Sequence, residues 1–120
     1  MKRKLEVLLL EDNVPTGVFM SEYLNRLDCL VNWFTHGKKV IDQIGEDNFY
    51  YDVAIVDLGL PDVDGESVIK ELFWSFPRRG IVVCSGSVDY KRGNVNGVGF
   101  YISKKSFRDE IKDILDLYRR

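Results

Sequence analysis

A chain of 120 residues with 45% hydrophobic and 30% charged side chains is one domain long and carries enough apolar mass for its own core. Its formal charge of -2 excludes the basic excess of a general nucleic-acid binder. Cys29 and Cys84 lack metal-ligand spacing, and the apolar run after the basic start is broken by Glu6 and ended by Glu11. A soluble, cytoplasmic protein with reduced thiols and no membrane span is expected.

The predicted elements alternate between two periods. Val7-Leu8-Leu9-Leu10 is a short continuous apolar run, the mark of a strand buried on both faces. Met20, Leu24 and Leu27 follow at helical spacing. Leu30-Val31-Asn32-Trp33-Phe34 is a more mixed run, suited to an edge strand, and Val40, Ile41 and Ile44 mark a second helix. Val53-Ala54-Ile55-Val56 reads as a third strand, and Val68, Ile69, Leu72, Phe73 and Phe76 as a third helical stripe. Trp74 lies off that stripe and is expected to pack on Pro77, with partner contact as its other use. Ile81-Val82-Val83-Cys84 reads as a fourth strand.

The next stretch, residues 85–98, holds three glycines and two asparagines, so residues 87 to 97 are expected to form no more than a short helix and to be mobile. Phe100-Tyr101-Ile102 is a fifth strand, and Phe107, Ile111, Ile114, Leu115 and Tyr118 close the chain as the strongest stripe. No repeat or linker interrupts residues 1–120, which are read as one domain. The order predicts a doubly wound α/β fold with a parallel sheet and a shortened or irregular fourth helix. Its five strands are taken in the flavodoxin-like order 2-1-3-4-5, which makes the first and third neighbours.

In such a fold the carboxyl ends of all strands share one edge, where ligands bind. There the chain delivers Glu11-Asp12-Asn13, Asp57-Leu58-Gly59, Ser85-Gly86 and Ser103-Lys104-Lys105. Neighbouring strands run roughly 5 Å apart, so Glu11, Asp12 and Asp57 would repel, raising a pKa or demanding a cation. Hard oxygen ligands favour Mg2+ over zinc or iron. Taken singly, each feature has a plainer reading as a helix cap, a turn residue or a surface lysine. Their convergence on one edge, with complementary charges, argues for a site. His36, the sole histidine, reads as a loop residue, so no catalytic base stands out. A carboxylate needs none, being already ionised for attack on an activated phosphoryl group, with Lys104 and the Ser85 hydroxyl offsetting the developing charge.

The stretch from Val53 to Gly65, with Glu11-Asp12, Ser85-Gly86 and Tyr101-Ile102-Ser103-Lys104 in order, resembles the response-regulator receiver family over nearly the whole chain. The resemblance implies that Asp57 accepts a phosphoryl group from a phosphohistidine on a sensor histidine kinase or a histidine phosphotransfer protein. It further implies Mg2+ held by Asp12, Asp57 and the Gly59 carbonyl, with Glu11 acting through water. Lys104 would pair with the phosphoryl oxygens, while Ser85 and Tyr101 form the switch and Gly86 leaves room. The expected output is a changed affinity for a downstream target protein in phosphorelay signalling, with no nucleic acid bound by this domain.

On that view the chain is no enzyme but a phosphoacceptor that catalyses its own phosphorylation and dephosphorylation. The chain, ending at Arg120, is expected to stand alone without an output domain or to be an excised piece of a longer regulator. The alternative is a pseudo-receiver that binds proteins without phosphate. An aspartyl phosphatase similar to the haloacid-dehalogenase family would need a second aspartate where Gly59 stands. Lys105 departs from the family's usual proline, leaving the Lys104–Lys105 bond trans or strained cis.

Overall fold

Each apolar run forms a strand because successive side chains point to opposite faces, and both faces are covered by helices. The computed structural model describes residues 3–60, 62–86 and 95–119. Its strands are β1 (Leu5–Leu10), β2 (Cys29–Phe34), β3 (Val53–Val56), β4 (Gly80–Ser85) and β5 (Phe100–Ser103). All pair in parallel in the order β2-β1-β3-β4-β5. The helices are α1 (Val14–Arg26), α2 (Gly37–Gln43), α3 (Gly65–Ser75) and α4 (Phe107–Asp116), the last entered through a 3-10 turn at Lys104–Ser106.

The alternation inside the runs divides the core in two. Leu5, Val7, Leu9, Val53, Ile55, Val82, Cys84 and Ile102 face one way, against Met20 and Leu24 of α1 and Phe107, Ile111 and Leu115 of α4. Leu8, Leu10, Ala54, Val56, Ile81 and Val83 face the other way, against Val40 of α2 and Val68, Ile69 and Leu72 of α3. Tyr118, past the end of α4, covers Gly80, where a Cβ would come within 2.5 Å of its ring.

Local chemistry sets the helix starts. Asn13 accepts from the Thr16 N–H at 3.0 Å and caps α1, with Pro15 in the first turn. Asp64 accepts from Ser67 N at 2.7 Å and caps α3. His36 precedes α2 without capping it, its ring nitrogen 2.9 Å from the Thr35 hydroxyl. The cap comes instead from Asp62, whose carboxylate accepts from Gly37 N and Lys38 N at 3.1 and 2.9 Å.

Trp74 does not pack on Pro77; it is 87% exposed. No cis peptide bond occurs among the described residues, so Lys104–Lys105 is trans. The short, mobile helix expected between residues 87 and 97 falls largely on residues 87–94, outside the described residues. Both cysteines are buried free thiols.

Candidate phosphoacceptor site

Leu10 of β1 lies opposite Val56 of β3, so the residues that follow them leave adjacent strands at the same level. One carboxylate oxygen from each of Glu11, Asp12 and Asp57 lies within 4.8 Å of the other two. Glu11 and Asp57 are buried, at 1% and 6% exposure, a costly place for like charges. Lys104, just beyond β5, relieves them. Its Nζ lies 2.8 Å from Glu11 Oε1, an ion pair lacking hydrogen-bond alignment, and donates to Asp57 Oδ2 at 3.0 Å.

Backbone groups hold the remaining oxygens. Asn13 N donates to Glu11 Oε2 at 3.1 Å, and Gly59 N donates to Asp57 Oδ1 at 3.1 Å. Burial pushes the Glu11 pKa above its ordinary value, with the Asp57 charge adding to it and Lys104 and Asn13 N–H opposing. Burial alone would lower the Lys104 pKa, but its two carboxylate partners outweigh that and raise it. The Cys84 thiol, behind the site, is pushed up to about 12 by burial and stays protonated at neutral pH.

Glu11, Asp12, Asp57 and Lys104 thus converge as expected from the strand ends. Ser85 ends β4, buried, opposite Ser103 of β5. A Cβ at Gly86 would meet the Lys104 stem at 3.8 Å, ordinary contact. Tyr101 is half-buried on β5, and its hydroxyl accepts from Val95 N at 2.9 Å. Two supporting residues went unread in the sequence. Asp62 caps α2 from the loop after Asp57, and the Trp33 indole N–H donates to the Glu11 carbonyl at 2.9 Å. Neither has a local signature, since each meets its partner only through the fold.

Residues 7–116 match the response regulator receiver domain. The chain belongs to that family. It is 33% identical over 70 residues to the transcriptional regulatory protein QseB of Escherichia coli, covering 56% of this chain and 30% of QseB. It is 30% identical over 111 residues to the cell cycle response regulator CtrA of Brucella ovis, covering 89% of this chain and 47% of CtrA. The chain therefore spans less than half the length of either relative. The crystal structure of the response regulator TrrA from Thermotoga maritima, in complex with Mg(2+)-BeF, superposes with a TM-score of 0.85 at 17% identity. That match covers 95% of this chain and 98% of TrrA and shares the fold.

The receiver is thus a module of two-component signalling. The description of a non-enzyme that nevertheless catalyses its own phosphorylation and dephosphorylation does not stand, because the match over residues 7–116 supports a receiver domain and no more. Among the described residues, no helix is long and apolar enough to cross a membrane.

Proposed function

We propose that Asp57 accepts a phosphoryl group from a phosphohistidine, on a sensor histidine kinase or a histidine phosphotransfer protein, in a Mg2+-dependent reaction. The carrying observation is the Lys104 ammonium in contact with Glu11 and Asp57 beside Asp12. Three carboxylates against one ammonium leave net negative charge and a cluster of hard oxygens, a donor set that fits Mg2+. Asp12, Asp57 and the Gly59 carbonyl would hold the ion, with Glu11 acting through water. When bound, Mg2+ supplies positive charge against the oxygens of the transferring phosphoryl group.

The protein's own part is positioning. The Gly59 N–H and Lys104 orient the Asp57 carboxylate from two sides. An Asp57 oxygen bonds to phosphorus as the P–N bond of the phosphohistidine breaks; the imidazole leaves with the electron pair and takes a proton. Lys104 then follows the phosphoryl oxygens, and the Ser85 hydroxyl turns to them. Tyr101 moves inward and releases the Val95 N–H that it holds in this structure. The altered surface selects a downstream target protein rather than nucleic acid or membrane. Residues 1–120 act as one receiver unit, working in the cytoplasm.

The test is transfer from a labelled phosphohistidine protein with Mg2+. One acid-labile phosphate is expected on the wild type and none on Asp57→Asn. Equal labelling of both removes Asp57 as the acceptor. Labelling of neither favours the pseudo-receiver.

A further inference from the structure

We propose that Trp33 is a positioning residue for the cation-binding carboxylates, acting through the backbone of Glu11; this rests on reading the acidic group as a Mg2+ site. Strand pairing between β1 and β2 ends at Leu10 and Phe34. Beyond it, Glu11 N still donates to Phe34 O at 3.0 Å, and Glu11 O accepts from Trp33 Nε1 at 2.9 Å. Consecutive residues of β2 therefore grip both backbone groups of Glu11. The indole extends the sheet's hold one residue into the turn, and Asp12 is the next residue along.

The ring cannot easily drift from that post. It lies against Gly17 of α1, where any Cβ would overlap it. Gly17 N in turn donates to Asn13 O at 2.8 Å, and Asn13 N donates to Glu11 Oε2. The indole is thus clamped between β2, the turn bearing Glu11 and Asp12, and the first turn of α1. A phenylalanine would fill much of the space but could not hold the Glu11 carbonyl. Freed, the turn could settle several ways, and the oxygens of Glu11 and Asp12 would no longer be held at one spacing from Asp57. Metal sites lose affinity when the groups orienting their ligands are removed, typically by tenfold or more.

The test is Mg2+ binding to the whole chain, by calorimetry and by tryptophan fluorescence. Trp33→Phe is expected to weaken Mg2+ binding by about tenfold. Gly17→Ala, which retains the indole but displaces its ring, should weaken it in the same direction. In the Trp74→Phe protein, where Trp33 is the remaining tryptophan, emission should change as Mg2+ is added. A structural role alone would lower the unfolding temperature of Trp33→Phe without moving the Mg2+ dissociation constant, and that result overturns the proposal. Should Trp33→Phe not fold, unchanged affinity in Gly17→Ala together with an unresponsive Trp33 emission overturns it equally. Wild type that binds no Mg2+ defeats the metal-site reading itself, and the two failures are told apart by that control.

Discussion

Lys104 pairs with Glu11 and Asp57 but not with Asp12, so the half-buried Asp12 carboxylate adds repulsion that the ammonium does not directly relieve. Asp12→Ala should therefore raise stability without Mg2+ by about 1 kcal/mol in urea unfolding, while weakening Mg2+ binding. The opposite sign is expected at Lys104. Lys104→Met leaves Glu11 and Asp57 facing each other without a counter-ion and should cost about 2 kcal/mol, less than a fully buried pair because Lys104 keeps 27% of its surface in water. Added Mg2+ should recover part of that loss. Unfolding of the two variants with and without Mg2+ checks both signs.

At the scale of elements, the loops around the site also hold the helices. Asp62, five residues after Asp57, caps α2 and so ties the acceptor loop to the opposite side of β1. Asp62→Ala should speed amide exchange at Gly37 and Lys38 and lower the unfolding midpoint. Gly65, the first residue of α3, is packed so closely that a Cβ would overlap Asp57 O and lie 2.7 Å from Leu58 Cα. Backbone cannot retreat as a flexible side chain does. Gly65→Ala should therefore cost about 2 kcal/mol and, by shifting the Asp57 backbone, slow phosphoryl transfer as well. Normal transfer in a folded Gly65→Ala protein would show that the loop absorbs the methyl group.

Across the whole molecule, the two edges of the sheet do different work. The carboxyl edge gathers charge for chemistry, whereas the amino edge is fastened by a paired carboxylate. Asp52 accepts from Arg3 at 3.0 and 3.2 Å, from Glu6 N at 2.8 Å and from the Tyr50 hydroxyl at 2.6 Å. Its backbone bridges to Glu6 and Gly80, so the starts of β1, β3 and β4 meet there. Burial by itself raises the Asp52 pKa, but Arg3, Tyr50 and the Glu6 N–H outweigh it and hold it below the ordinary carboxylate range. A carboxylate held below its unfolded value contributes stability above about pH 4 and loses it as pH falls through the folded value. Asp52→Asn should thus cost about 1–2 kcal/mol at neutral pH, with the gap to wild type closing in acid. A gap that stays constant from neutral pH down to acid unfolding would show that the charge contributes nothing.

The sequence by itself determined the layering and which side chains reach the carboxyl edge. Val53-Ala54-Ile55-Val56 must be buried on both faces wherever it sits, and a two-faced strand needs helices on both sides. With the strands parallel and joined by crossovers, Glu11-Asp12, Asp57, Ser85 and Lys104 then fall at strand ends on one edge of the sheet. What only the tertiary structure decided is how those groups are held. Lys104 meets Asp57 across 47 positions, Asp62 meets Gly37 across 25, and Trp33 meets Glu11 across 22. Trp74 was misread for the same reason. Periodicity records which face of an element is apolar, but the partner of one side chain depends on how distant elements pack, and no local pattern carries that information.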